Sequence, residues 1–248
     1  MSFLQQFFRD VFDPKSSVDY FTSPNQSKSL GAVAPELVQS QFEITSYGDF
    51  ELTDAIRPSF DLEVQPTQGF RHEVYVDEES KSEVPVVMAS VSRQHLFPMF
   101  MQLIQELGET VDVVLETSHD HAINGHLDLY REHIDLPVLT SILWEYEDLL
   151  TNDGCTGIAV LNPAIPQEIQ FDEHKLLIMY GEPLGKFEAM LENQGVSHDP
   201  GIRFITEAEH VHSSTRKYQE QFEDLRLRLG TCSDAEECRE DDGYEECW

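Results

Sequence analysis

Two His-x-His pairs are the residues of this chain whose type and spacing best suit chemistry: His119-Asp120-His121 and His210-Val211-His212. Residues two apart in an extended strand project to the same face, so each pair offers two imidazoles on one side. Four neutral nitrogens would suit zinc or another first-row metal. His119, His121, His210 and His212 are therefore the candidate ligands, and Zn²⁺ the one cofactor they suggest. Glu116, Asp120, Glu207 and Glu209 fall on the opposite face of regular strands and are not expected among the ligands. The competing reading is two ordinary loop pairs. With 10 histidines in 248 residues an accidental His-x-His is easy to find, and the odds favour that reading.

The elements that must position these pairs form a repeat, because the pairs end two copies of one pattern offset by 91 residues without a gap. Met88 matches Met179, Met99 matches Met190, and Glu116 matches Glu207. The first copy reads as a strand over 86–91, a helix carrying Leu96, Phe100, Leu103 and Leu107 on one face, and a strand over 111–117. The second reads as a strand over 175–180, a helix over 183–193 and a strand over 202–206. Between them the pattern predicts a long helix with Asp135 as N-cap and Pro137 in its first turn, ended by Gly154. A strand over 157–161 and a hairpin over 167–180 around Asp172-Glu173 follow, and a last amphipathic helix spans 214–229. The expected fold is α+β or α/β. It is a two-layer sandwich whose mixed sheet is built from two pseudo-repeated β-α-β units, ferredoxin-like, with a flavodoxin-like sheet as the alternative.

Four segments are expected around that plan. Residues 1–40 combine a short amphipathic helix with a flexible Ser-, Pro- and Asn-rich linker. Residues 41–83 supply short strands (41–45, 60–64 and 70–76) that pack on a main domain over 84–230. Residues 231–248 hold eight acidic residues against Arg239 and read as a disordered tail. The N-terminal helix is too short to stand alone, so Phe3, Phe7 and Phe8 must dock on this chain's own core or on a partner protein.

Charge narrows the function classes. Acidic residues number 47 against 16 basic, a formal charge of −31. Such a field repels nucleic acid and anionic lipid and favours solubility. No run approaches the roughly 18 apolar residues of a membrane span. The N-terminus lacks the basic and apolar regions of a secretory signal, so a cytoplasmic protein is expected. Cys155 reads as a buried small hydrophobe, and Cys232, Cys238 and Cys247 fit no redox or zinc-knuckle spacing and no disulfide framework. Gly181 to Lys186 resembles a phosphate loop only in part, being one residue short with Phe187 in place of the Mg²⁺-binding hydroxyl. The absence of catalytic motifs favours a non-catalytic protein-binding or regulatory module. The alternative is a metal-binding protein or metal-dependent hydrolase built on the histidine pairs.

Overall fold

The computed structural model describes residues 43–76, 82–119 and 127–232. Phe3, Phe7, Phe8, His121 and nearly all of the acidic tail lie outside the described residues.

The chain opens with a small hairpin of β1 (Ser46–Tyr47) and β2 (Phe50–Glu51), followed by β3 (Ile56–Pro58). Next come β4 (Gly69–Val76), β5 (Glu83–Ser90), α1 (Arg93–Leu103) with a 3-10 turn, β6 (Thr110–Thr117) and β7 (Leu127–Asp135). Helix α2 (Leu136–Leu143) runs through a 3-10 turn at Trp144–Tyr146 into α3 (Glu147–Asn152). Strands β8 (Thr156–Leu161), β9 (Glu168–Phe171) and β10 (Leu176–Tyr180) precede α4 (Gly185–Asn193), β11 (His210–His212) and α5 (Arg216–Leu229).

Seven strands form one sheet in the order β4-β5-β10-β9-β8-β6-β7, and every neighbouring pair is antiparallel. This overturns the mixed ferredoxin-like or flavodoxin-like sheet: the protein is α+β with an all-antiparallel sheet. The repeat fails with it. β5 and β10, the matched first strands, lie side by side and antiparallel, with Met88 opposite Ile178. The matched last strands part company, because β6 sits in the large sheet while β11 pairs with β3 in a separate ladder.

The expected strand over 202–206 is absent for a physical reason. Phe204 N donates to its own neighbour Glu207 at 2.9 Å, and Ile205–Glu207 is a 3-10 turn. Ile202 and Phe204 instead bury against Val86, Leu176 and Ile178 on the outside of the sheet. Arg71 of β4 clamps the segment there, 2.7 Å from Glu207 and 4.7 Å above the Phe204 ring. Strand β7 went unpredicted because its residues mix Asp128, Arg131 and Glu132 with few apolar positions. That composition suits the edge strand that it is.

One face of the sheet carries the main core. Ile158, Val160, Ile169, Phe171, Leu177 and Met179 meet α1, α4 and α5 through Leu96, Phe100, Phe187, Phe222 and Leu225. Helix α5 has a legible beginning and end: Thr215 caps Tyr218 N, and Gly230 closes it at φ +64, a conformation glycine adopts without penalty. Among the described residues no helix is long and apolar enough to cross a membrane. Cys232, bonded through its backbone to Tyr130 of β7, is disulfide-bonded, so the tail cysteines are not all free thiols.

The opposite face buries polar groups. Gly157 lacks a side chain where Glu116 crosses it, since a Cβ there would sit 2.7 Å from Glu116 Oε2. Glu116 thereby reaches Gln170 Nε2 at 3.1 Å. Glu168, two residues along β9, is fully buried, and neither carboxylate oxygen has a hydrogen-bond partner. Burial first, then the Glu116 charge, holds its pKa well above the usual carboxylate range. A carboxyl raised on folding contributes its full stability below the unfolded value near about 4.3 and loses it as pH climbs toward the folded value. Glu168→Gln should therefore match the parent near about pH 4 and melt progressively higher as pH rises to neutrality. A gap on the order of 2–4 °C is expected for each ~1 kcal/mol of relief in a chain this size. Thermal melts across that range check it; parallel curves for the two proteins would contradict it.

Candidate metal centre

Three imidazoles from two elements meet at one point. His210 and His212 share a face of β11, and His174 comes from the turn between β9 and β10. Ring centroids lie 5.1 Å apart for His174–His210, 4.9 Å for His174–His212 and 5.1 Å for His210–His212. One nitrogen from each ring falls within 4.8 Å of the others. All three residues are partly exposed, though His212 Nε2 itself is buried.

Each position is built by local backbone chemistry. The turn closes with Lys175 N on Asp172 O at 3.0 Å and Leu176 N on Asp172 Oδ1 at 2.7 Å. Lys175 takes φ +63, and its buried side chain is tied down by Nζ donating to Thr156 O at 2.8 Å. Strand β11 is held by β3, with His210 opposite Pro58 and His212 opposite Ile56. Beyond the ladder, Ser213 N donates to Ala55 O at 2.7 Å and Gly154 N to Ser213 O at 2.8 Å.

The hydrogen bonds fix which nitrogen is available. His210 Nδ1 faces Ala208 O at 2.8 Å, and His212 Nδ1 faces Gly154 O at 2.7 Å. A carbonyl oxygen only accepts, so each Nδ1 must carry the proton, and a neutral ring then presents Nε2 as a lone pair. His174 Nδ1 is likewise 2.8 Å from Asp172 Oδ2. His212 Nε2 is buried with no partner. Three Nδ1 groups anchored on oxygen, which leave Nε2 of each ring as the atom to coordinate, are the outer support that metal-binding histidines require.

Electrostatics favour neutral rings at two positions. Burial, then His174 and His212, pushes the His210 pKa down to about 3. Burial also lowers His212. At His174 burial pulls the same way, but the adjacent Asp172 carboxylate outweighs it and the pKa is raised. Glu173 stands beside the cluster, its charge acting on all three rings, and its Oε2 accepts from Ser118 Oγ at 3.0 Å. A cavity of about 30 Å³ lies behind His174, lined also by Thr53, Leu176, Arg203 and Ile205. It has room for roughly two waters.

The structure thus brings together two of the four histidines singled out from sequence, His210 and His212, and adds His174. His121 lies outside the described residues. His119 is engaged elsewhere: its Nδ1 meets Thr117 Oγ1 at 2.8 Å, and its Nε2 meets Asp153 Oδ2 at 3.0 Å and Ser214 Oγ at 3.3 Å. Serine and aspartate on the same nitrogen do not make a nucleophilic triad, in which they engage opposite nitrogens. His174 carried one sequence signal, its place in the predicted hairpin turn, but no spacing ties it to residues 36 positions further on. Comparison with protein-family models, curated proteins and solved structures found no match.

Gly154 has no room for a side chain. A Cβ there would lie 2.4 Å from Ala55 O and 2.9 Å from Ser213 O, both backbone atoms. Gly154→Ala should cost on the order of 1–3 kcal/mol and free the Ser213 and Gly154 amides to exchange. Gly185→Ala is the control, because nothing lies within 4 Å and alanine suits a helix start. Thermal melts and hydrogen exchange of the two variants check this. An unperturbed Gly154→Ala protein would show that the close approach is not required.

Proposed function

We propose that this protein is a metal-dependent enzyme of the hydrolytic type, holding one divalent first-row ion, zinc by preference, on His174, His210 and His212. The observation that carries the reading is the meeting of one nitrogen from each of three rings within 4.8 Å, with all three Nδ1 atoms committed to oxygen partners so that Nε2 is the atom left to coordinate. Structural zinc sites close with four protein ligands, whereas three leave a position for water or substrate. A divalent ion there would polarise a substrate carbonyl or make a bound water acidic near neutral pH.

The residues of the chain divide the remaining work. Asp172 orients His174 and balances charge gathered at the ring. Glu173, anchored by Ser118, is the base placed to receive a proton from an activated water. The acidic surface concentrates cations near the site and disfavours polyanionic substrates, which points to neutral or cationic esters and amides.

Titration of metal-free protein with Zn²⁺ or Co²⁺ tests the reading. About one tight equivalent should be lost in each of His174→Ala, His210→Ala and His212→Ala. The weakening should exceed the roughly 10–100-fold that even a supporting outer residue contributes. His198→Ala is the control, since that ring stacks on Phe70 and His72, away from the cluster. Azide should perturb the cobalt spectrum if a coordination position is open. Binding indifferent to the three substitutions would remove the site, and a spectrum deaf to azide would make it structural.

A further inference from the structure

A second group of donors lies across the Gly154 backbone from the three histidines. A ring nitrogen of His119, a carboxylate oxygen of Asp153 and Cys155 Sγ all fall within 4.8 Å of one another. Asp153 is fully buried, and its Oδ1 has no hydrogen-bond partner. Its other oxygen, Oδ2, accepts from Thr156 Oγ1 and sits 3.0 Å from His119 Nε2. Cys155 is a buried free thiol within reach of the Ser118 and Ser214 hydroxyls.

The plainer explanation is a buried His–Asp pair with a neutral thiol packed beside it. That explanation leaves Asp153 Oδ1 stripped of water with nothing in exchange, a costly state for a carboxylate. A divalent cation resolves it. Imidazole, carboxylate and thiolate sum to −2, so a divalent ion makes the buried group electrically neutral, with nitrogen, oxygen and sulfur donors that zinc accepts. The outer supports are in place, with Thr117 Oγ1 on His119 Nδ1 at 2.8 Å and Thr156 Oγ1 on Asp153.

We infer that His119, Asp153 and Cys155 form a second divalent-metal site, thiolate-bearing and distinct in its ligands from the three-histidine site. Loading it expels the Cys155 thiol proton to solvent, while His119 binds as neutral imidazole, its single ring proton held at Nδ1 and donated to Thr117 Oγ1. The two sites are neighbours in the chain, because Asp153 and Cys155 flank the Gly154 carbonyl that orients His212. Sequence reading placed His119 with the other histidines and Cys155 among inert hydrophobes; the fold sets the two side by side.

Cobalt titration of the full-length metal-free protein tests the inference. Thiolate coordination gives a sulfur-to-cobalt charge-transfer band in the near ultraviolet that imidazole ligands do not produce. The wild type should take up about two equivalents and show that band. Cys155→Ser should lose the band and one equivalent while keeping the cobalt visible bands of the three-histidine site. His210→Ala should do the reverse. Asp153→Asn, which preserves shape, should also lose the second equivalent and guards against misfolding of the cysteine variant. Saturation at one equivalent with no charge-transfer band would overturn the second site and leave the first standing. A band that survives Cys155→Ser would overturn it too, assigning the sulfur to another cysteine. Two equivalents in the wild type with one, band-bearing, in His210→Ala would support both sites independently.

Discussion

His212 donates from Nδ1 to the carbonyl of Gly154 at 2.7 Å, and residue 154 sits where a Cβ would strike the Ala55 and Ser213 backbone. The same residue lets the segment after α3 lie against β3 and β11, where Gly154 N meets Ser213 O and Ser213 N meets Ala55 O. Three distant stretches of chain are thereby drawn to one point: the β3 region, the α3–β8 connection and the β11 ladder. The β9–β10 turn adds His174 from the centre of the large sheet. Remove the close approach, and the rings keep their residue types but lose their common focus.

Polarity in the interior follows a division between the two faces of the sheet. The helix-covered face carries the main apolar core, as a face packed by amphipathic helices should. The other face carries Glu116, Glu168 and Gln170 in the sheet itself, and burial raises both carboxylic acids well above their ordinary range. Neutral acids on that face and largely neutral imidazoles at the metal centre have one origin: burial disfavours charge, whichever sign it carries. Asp153 is the exception: burial raises its pKa, but its contacts with an imidazole and hydroxyls outweigh that and the pKa is lowered. The net charge of −31 says little about the site except that it draws cations.

What the sequence disclosed were the elements whose signals are local. The hairpin around Asp172-Glu173, the helix start after Asp135 with Pro137, and the helix capped by Thr215 and Gly230 follow from turn residues, caps and periodicity. The single long helix expected up to Gly154 is instead broken by a 3-10 turn at Trp144–Tyr146 and stops at Asn152. The 91-residue repeat misled because matched apolar spacing does not encode strand direction. β5 and β10 share a pattern yet run antiparallel, and β11 leaves the sheet altogether. His210 and His212 were legible as a same-face pair. His174 was not, since its approach depends on tertiary routing, and neither was the role of Gly154, which only the backbone atoms of Ala55 and Ser213 reveal.

The account stands on the Nε2 atoms of His174, His210 and His212 being ligands, and anomalous diffraction from zinc-soaked crystals tests that most directly. A zinc peak should lie about 2.0–2.1 Å from all three Nε2 atoms, with the Nδ1 bonds to Asp172, Ala208 and Gly154 intact. Strong zinc peaks confined to surface carboxylates, with the three rings vacant or turned so that Nδ1 faces the metal, would contradict it.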